Sequence, residues 1–288
     1  MSQTLPEIIK QCYRDKTGRR SRHLSCFLFI MLTLLAESKT MASQQGAVSE
    51  NEFKAHSPLL ENIADSLMLH IEKMPVNELA ETLGISNSLA VKTYGLAFDF
   101  PHKVTGYQAL FAFTGEAYRG LDIGSVNPEI LERTRQTLKI ISSVYGILSP
   151  YDIIKPYRCE FNKGIFPDNK TPIQIFKPKV TVALVNYIKE QKITDIIDLL
   201  PADADKMIDW KIVRAFSPVH KICFQTIDNQ GRLKTPIAKR LKELRGIMYR
   251  TILTENIESF QQLTKVDSPH FIFSPADSKP GLPVFISS

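Results

Sequence analysis

The sequence predicts an α+β fold in which a single domain holds a mixed β-sheet wrapped by helices. Three observations support this prediction. Short apolar segments with the composition of strands, such as residues 31–35 and 193–200, are interspersed with longer segments of helical period. These segments form neither a regular strand–helix series nor a helical bundle. No internal repeat and no clear interdomain linker divides the 288 residues.

The composition is that of an ordinary water-soluble globular protein, with 43% hydrophobic and 23% charged residues. The formal net charge of +6 is unevenly distributed, because residues 1–30 hold six bases and two acids and the remaining chain carries only +2. Binding to nucleic acid would therefore depend on where the lysine and arginine side chains lie. Four scattered cysteines without a C-x-x-C pair, and six dispersed histidines, predict reduced thiols in the cytoplasm, no metal site and no cofactor.

The beginning of the chain allows two interpretations. The basic run at residues 16–22 precedes the apolar residues 24–36, an order typical of a secretory signal peptide. Alternatively, residues 31–35 form a buried first strand, and residues 1–30 are an N-terminal extension, loosely ordered or created by an upstream start. Cleavage near residue 36 would remove a core strand, so the sequence favours the extension. The apolar run is also too short to span a bilayer, so no membrane association is predicted.

Residues 76–98 predict a hairpin of two short helices, which follows a longer helix at residues 59–73. Gly84 accepts the left-handed conformation that ends the first helix of the hairpin, and Ser86 or Asn87 caps the second. Three structures fit this pattern. It can be a helix-turn-helix that reads bases, a helix-hairpin-helix whose backbone N–H groups hold a phosphate, or two plainly packed helices.

The side chains of the second hairpin helix distinguish these possibilities. A helix that reads the major groove needs arginine, glutamine or asparagine along an exposed face. Here the polar side chains are only Asn87, Ser88 and Lys92. The pattern therefore favours the helix-hairpin-helix, in which Gly84, Ile85 and Ser86 contribute mainly backbone groups.

Residues 111–158 carry the most informative pattern of the chain. Residues 128–143 predict a helix, with Pro128 in its first turn. Glycines and prolines interrupt regular structure on both sides of this helix, so the side chains there lie at element ends, where they can converge on a cleft. The cleft residues predicted in this stretch are Tyr118, Tyr145, Asp152, Tyr157 and Arg158. Alternatively, the tyrosines simply bury their rings with satisfied hydroxyls.

The C-terminal half predicts a helix at residues 180–191, a buried strand at 193–200, paired strands at 211–216 and 219–227, and a helix at 236–255. Lys242, Arg245 and Arg250 give the last helix a basic side. Gly246 within that helix costs about 0.8–1 kcal/mol relative to alanine, which indicates that a neighbouring element or a ligand approaches the backbone there.

Two gapped motifs then carry a family resemblance. Phe113 begins the spacing F-x-G-x-x-Y-x-G-L, and Tyr145 begins Y-G-x-L-x-P-x-D-x-x-x-P-Y-R. These motifs resemble those of the YaaA-like family of bacterial peroxide-stress proteins. The match extends outward to residues 31–40 and 242–250, so the resemblance covers nearly everything after residue 30.

The resemblance implies a cytoplasmic role in peroxide stress, which in the family is linked to limiting free iron and oxidative DNA damage, and it implies a helix-hairpin-helix. We therefore predict a protein that binds duplex or junction DNA through its phosphates, without strong sequence preference and without an obligate protein partner. The predicted DNA contacts are Gly84, Ile85, Ser86, Lys92, Lys242, Arg245 and Arg250. Lys39 joins the cleft residues, because it matches the family pattern S-P-A-K-T at residues 36–40.

Two alternatives remain open at this point. One is an enzyme acting on a phosphorylated or nucleotide-like small molecule, with Arg158 for the anion and Asp152 or a tyrosine as acid or base. The absence of a P-loop, of G-x-G-x-x-G and of an evident nucleophile–base pair favours a binding protein over an enzyme. The other is a dimeric helix-turn-helix regulator. The chain also departs from the family pattern, at Ala36, Glu37, Ser149, Lys177 and Pro201.

Overall fold

The computed structural model describes residues 30–42, 56–102 and 106–287. The predicted extension at residues 1–30 lies outside the described residues except for Ile30. The strands are β1 (Ile30–Ala36), β2 (Tyr107–Gln108), β3 (Leu138–Ser142), β4 (Gly146–Leu148), β5 (Ile153–Ile154), β6 (Ile193–Asp198), β7 (Val219–Lys221), β8 (Cys223–Ile227), β9 (Leu233–Lys234), β10 (Phe271–Lys279) and β11 (Leu282–Ser287).

Helices surround these strands. They are α1 (Glu61–Ile71), α2 (Val76–Leu83), α3 (Asn87–Asp99), α4 (Ala109–Ala112), α5 (Glu116–Leu121), α6 (Pro128–Leu131), α7 (Thr134–Thr137), α8 (Pro172–Gln191), α9 (Ala202–Asp205), α10 (Trp210–Val213), α11 (Ala238–Thr254) and α12 (Phe260–Leu263). In the part of the chain that is described, no helix is both long and apolar enough to cross a bilayer.

The central sheet has the strand order β4-β3-β1-β6-β7. Strand β1 lies in the middle and runs parallel to both neighbours, with Leu34 in register with Lys139 of β3 and Asp198 of β6. Strand β7 is parallel to β6, whereas β4 is antiparallel to β3. The mixed sheet is as predicted, but its parallel centre makes the fold a mixed α/β arrangement. Residues 31–35 are buried because helices and loops cover both faces of a parallel sheet.

Two smaller sheets complete the fold, one in the order β10-β11-β8-β9 and one formed by β2 and β5. Aromatic rings join the first of them internally, since Phe271 and Phe285 pack edge to face at 5.6 Å. Buried residues of this sheet belong to the same hydrophobic cluster as those of the central sheet. This continuous core favours the single-domain prediction.

Two predicted elements were wrong. Residues 128–143 are not one helix but the single turns α6 and α7 followed by strand β3. Ile140 and Ile141 lie in the fully buried strand, and a short apolar run of this kind has no helical or alternating period that could separate the two structures. Residues 211–216, predicted as a strand, contain most of the helical turn α10, which the Asp209 side chain caps by accepting from the N–H of Lys211 at 3.2 Å.

Helix α11 crosses α5 at unusually short range. A Cβ atom added to Gly246 of α11 would lie 1.7 Å from the carbonyl oxygen of Ala117, and one added to Gly120 of α5 would lie 2.3 Å from the carbonyl oxygen of Glu243. The neighbour that Gly246 indicated in the sequence is therefore helix α5. Each glycine permits a backbone contact that any side chain would prevent.

The crossing predicts that replacing two helical glycines by alanine changes the free energy of unfolding in opposite directions. Gly246→Ala should lower the free energy of unfolding by about 1–3 kcal/mol or more, because the backbones must separate. Gly95→Ala is the matched control, because Gly95 lies within α3 and a Cβ atom added to it would have nothing within 4 Å. That variant should gain up to about 1 kcal/mol from helix propensity. Urea denaturation measures both, and equal stability of the two variants would contradict the crossing.

Candidate functional site

The carboxyl ends of three parallel strands meet at one edge of the central sheet. Glu37 directly follows β1, Ser142 ends β3 and Asp198 ends β6. Glu37 continues the pairing with β3, because its N–H donates to the carbonyl oxygen of Ile141 at 2.9 Å. On the other side the N–H of Leu199 donates to Leu34 at 3.2 Å. In open α/β sheets, ligands bind at the carboxyl ends of the strands. The binding position is the one where the connections from two neighbouring strands run to opposite sides of the sheet.

A half-buried carboxylate, that of Glu37, occupies the middle of this edge. Glu37 Oε1 accepts from Ser143 Oγ at 2.5 Å, and Glu37 Oε2 accepts from the Ser143 N–H at 3.0 Å. The hydroxyl of Tyr157 donates to the same Oε2 and lies 2.7 Å from Ser142 Oγ. We call Glu37, Ser142, Ser143 and Tyr157 the edge cluster. Its hydrogen bonds tie the end of β1 to the end of β3 and to the chain at Tyr157.

Burial changes the acidity of these groups. It raises the pKa of the Glu37 carboxyl above its ordinary value, although the hydroxyls of Ser143 and Tyr157 and the N–H of Ser143 oppose that shift by donating to the carboxylate. Burial and the nearby charge of Glu37 also raise the pKa of Tyr118 and of Tyr157. The thiol of Cys159 is likewise buried, and its pKa is raised to about 12. This cysteine is therefore not an activated thiolate.

A second charged group lies at the end of β6. Lys221 Nζ donates to Asp198 Oδ2 at 3.0 Å and also contacts Asp205. Burial raises the pKa of Asp198 to about 6, while the Lys221 ammonium opposes the rise. The two carboxylates raise the pKa of Lys221, although its burial acts in the opposite direction. Asp198 thus brings a buried negative charge to the same edge as Glu37.

The predicted cleft residues divide between two places. The Tyr118 hydroxyl donates to the carbonyl oxygen of Ala36 at 3.1 Å, and the Tyr145 hydroxyl accepts from the N–H of Lys155 at 3.1 Å. With Tyr157 in the edge cluster, all three tyrosine hydroxyls have partners, and the rings of Tyr145 and Tyr157 pack at 5.6 Å. Asp152 instead lines a groove with Lys139 and Tyr187. The rings of Tyr118, Tyr145 and Tyr157 are thus buried, and the cleft prediction for them stays a prediction.

Glu160, in the segment after Tyr157, lies near two cationic side chains. Lys39 and Glu160 form an ion pair at 2.5 Å, and Arg158 lies 3.8 Å from the other oxygen of Glu160. The Nε atom of Arg158 is buried and has no hydrogen-bond partner in the described parts of the chain. A buried N–H without an acceptor costs free energy, so this atom is suited to an anionic ligand.

Helix α11 contributes two further cations, and a third, Arg250, connects α11 to helix α5. Arg245 is half-buried, and its guanidinium has no hydrogen bond or ion pair with a described residue. The negative charge of the buried Asp198 acts on it. Burial lowers the pKa of Arg245. Lys242 lies three residues earlier and is exposed. Arg250 instead donates to the carbonyl oxygens of Leu121 and Asp122 at 3.0 and 2.7 Å, which closes the end of α5.

The predicted hairpin consists of α2 and α3 packed against each other around Gly84, which is exposed and left-handed at φ 65°. The N–H of Ile85 donates to the carbonyl oxygen of Ala80 at 3.0 Å, so this amide is used within the hairpin. Ser86 caps α3 by accepting from the N–H of Leu89 at 3.3 Å. Lys92 is exposed on α3.

Several residues at these sites were missed from the sequence. Lys163 Nζ would lie 2.9 Å from a Cβ atom added to Gly84, which brings a cation from a distant segment to the hairpin. Ser143, Asp198 and Lys221 were missed as well. Ser143 directly follows β3 and Asp198 ends β6, and a position at the end of a strand is the signal that could have found them. For Ser143 this signal was hidden, because the sequence predicts a helix at residues 128–143. Among the described residues, no group of three or more histidine, cysteine or acidic side chains is placed to hold a metal ion.

The sequence of the chain is similar to those of known proteins. The sequence model described as peroxide stress protein YaaA matches residues 31–277. A UPF0246 protein of Shewanella pealeana is 30% identical over 262 residues, which cover 89% of this chain and 98% of that protein. A UPF0246 protein of Legionella pneumophila is also 30% identical over 262 residues, covering 89% of this chain and 99% of that protein.

The raised pKa of Glu37 predicts a pH-dependent stability difference. The protonated carboxyl is the form that burial favours, so its contribution to stability is present at low pH and is lost as the pH rises through the raised value. Glu37→Gln keeps the shape and removes the titration. We therefore expect the variant to become more stable relative to the original protein as the pH rises above 4.5, the ordinary pKa of the carboxyl group.

Urea denaturation at several pH values measures this difference. The exposed Glu255→Gln is the control for removing a carboxylate from the surface. A difference between Glu37→Gln and the original protein that stays constant with pH, or that shrinks as the pH rises, would show that the Glu37 carboxylate is not destabilised by burial.

Proposed function

The chain belongs to the peroxide stress protein YaaA family, and from this premise we propose that it protects the cytoplasm under peroxide stress by binding DNA through its phosphates, without strong sequence preference. The single observation that carries the proposal is a pair of arginines with donors that the described part of the chain does not engage. Arg158 has a buried Nε without an acceptor, and Arg245 has a half-buried guanidinium without an ion pair among the described residues.

Both arginines lie near the carboxyl edge of the sheet. Arg158 stands between Tyr157 and Cys159, and both of these neighbours interact with Glu37. The charge of Asp198, which ends the strand beside β1, acts on Arg245. A desolvated cation is costly unless an anion accompanies it. Phosphate oxygens can accept from an arginine fork in a bidentate manner, so a phosphodiester backbone is a suitable partner for such groups.

Lys242 adds an exposed positive charge beside Arg245. It lies three residues before Arg245 on α11, so the two side chains lie on neighbouring parts of the helix surface. Lys242 is exposed, as expected of a side chain that meets a large ligand. Arg250, included among the predicted contacts, has three hydrogen bonds around the end of α5, to Leu121, Asp122 and Ser125. In this proposal Arg250 positions α11 and does not contact DNA.

The α2–α3 hairpin supplies the second contact. Because the Ile85 N–H is used inside the hairpin, we assign phosphate binding to the start of α3, where the N–H groups of Asn87 and Ser88 precede the first helical hydrogen bond. Gly84 allows close approach, and Lys92 and Lys163 add positive charge. Tyr157, Arg158 and Lys163 belong to one short segment, so the hairpin and the edge of the sheet can act on the same ligand.

The alternatives have less support. An enzyme that uses the predicted tyrosines would need an available hydroxyl, yet those of Tyr118, Tyr145 and Tyr157 are engaged and Asp152 lines another groove. A sequence-specific regulator would need base-reading side chains on α3. Besides Asn87, Ser88 and Lys92, α3 exposes the apolar Val91 and Phe98, at 57% and 48% of their surface.

DNA binding should depend steeply on salt and on α11. We expect duplex or junction DNA to bind at low salt, with log K falling against log salt by about 0.9 for each phosphate neutralised. Lys242→Glu combined with Arg245→Glu should abolish binding at moderate salt. Fluorescence anisotropy with labelled duplexes of unrelated sequence measures both effects.

The matched control is Lys211→Glu combined with Lys265→Glu, which changes the net charge equally at two exposed lysines outside the predicted contacts. This control should retain most of the affinity. If neither duplex nor junction DNA binds at low salt, or if the two double variants lose affinity equally, the proposal that DNA contacts α11 specifically is wrong.

A further inference from the structure

A groove away from the edge cluster contains a lysine and a serine in direct contact. Lys139 lies on β3 and is only 9% exposed, and its Nζ donates to Ser149 Oγ at 2.8 Å. The groove has a volume of about 260 Å³ between β4 and α8, and an adjoining groove of about 250 Å³ shares Lys139, Ser149 and Tyr187. The sequence showed no evident nucleophile–base pair, but the fold brings these two residues together from ten positions apart.

The lysine is held in place and desolvated. Its ammonium lies 4.0 Å from the centroid of the Tyr187 ring, and the Tyr187 hydroxyl is anchored by donating to the carbonyl oxygens of Arg135 and Gln136 at 3.0 and 3.1 Å. Burial lowers the pKa of Lys139, and the charges of Asp152 and Glu190 oppose that shift. A lysine can act as a general base only as the free amine, which burial favours.

The serine is fixed by its own turn. The N–H of Ser149 donates to Asp152 Oδ2 at 2.8 Å, and the N–H of Asp152 donates back to the carbonyl oxygen of Ser149 at 3.1 Å. Ser149 is half-buried and lines both grooves, so a ligand in either can reach its hydroxyl. A nucleophile and a base within hydrogen-bond reach, with each held by a further group, form the arrangement that activates serine in acyl transfer.

We propose that Ser149 is a nucleophile activated by Lys139, and that this groove takes an acyl group from a small ester. The first groove is apolar on one side, where Ile147, Leu148 and Ala183 line it, and the second contains His56, Gln136 and Gln191. This division suits a short apolar acyl chain in the first groove and a polar alcohol in the second.

The reaction balances without a cofactor. The Lys139 amine takes the proton of the Ser149 hydroxyl while Oγ bonds to the ester carbonyl carbon. When the carbonyl re-forms, the C–O bond to the alcohol breaks, and the leaving oxygen receives the proton from the Lys139 ammonium. Water then attacks the acyl-serine in the same way, which releases the carboxylic acid and restores Ser149.

Acylation of the full chain by p-nitrophenyl butyrate tests this inference. We expect a burst of p-nitrophenolate, and tandem mass spectrometry should place a hydroxylamine-labile butyryl ester on Ser149. Ser149→Ala should lose the adduct, and Lys139→Met should slow its formation by about 100-fold or more. Mapping the adduct in the original protein requires no variant to fold.

Two control variants are matched to the pair. Ser66→Ala removes an exposed serine of α1 that donates to the carbonyl oxygen of Asn62, and Lys155→Met removes another lysine that lies over an aromatic ring, that of Phe100. Both should acylate Ser149 at the original rate. A stable amide on Lys139, labelling confined to surface lysines, or an unchanged burst in Ser149→Ala would overturn the assignment. Lys242→Glu with Arg245→Glu should leave acylation intact, which separates this site from DNA binding.

Discussion

The backbone contact between α5 and α11 is the constraint on which the candidate site depends. Gly120 and Gly246 allow the two helices to approach until a methyl group would not fit between them. That approach lets Arg250 reach the end of α5, while Tyr118 of α5 reaches the carbonyl oxygen at the end of β1. The positions of Lys242 and Arg245 relative to the sheet follow from this crossing, because a helix is rigid over the few residues involved.

Charge at the carboxyl edge gives the site its chemical character. Asp198 is a buried acid and Glu37 a half-buried one, and the nearby Arg158 has an Nε without an acceptor in the described parts of the chain. Burying charged groups lowers stability unless hydrogen bonds and opposite charges compensate. The protein satisfies Glu37 with three donated hydrogen bonds and Asp198 with Lys221, whereas the Nε of Arg158 has no acceptor among the described residues.

Strand β3 connects the edge cluster with the groove that holds Lys139 and Ser149. Its last residue, Ser142, belongs to the edge cluster, and its second residue, Lys139, lies in the groove beside α8. The strand is buried throughout, so each polar side chain on it needs a specific partner. Ser142 has Tyr157, and Lys139 has Ser149 and the face of Tyr187. A polar residue in such a strand is therefore more informative about function than one on the surface.

The sequence by itself determined the features that depend on local chemistry. The buried first strand, the long basic helix α11, the left-handed turn at Gly84 and the close approach at Gly246 were all predictable, because periodicity and backbone preference act within a few residues. Strand β3 was not, because a short apolar run fits a helix as well as a strand until its neighbours are known. Only the tertiary structure brought Ser143 to Glu37, Lys163 to Gly84 and Lys139 to Ser149, since these contacts depend on how separate segments pack and no local pattern encodes them.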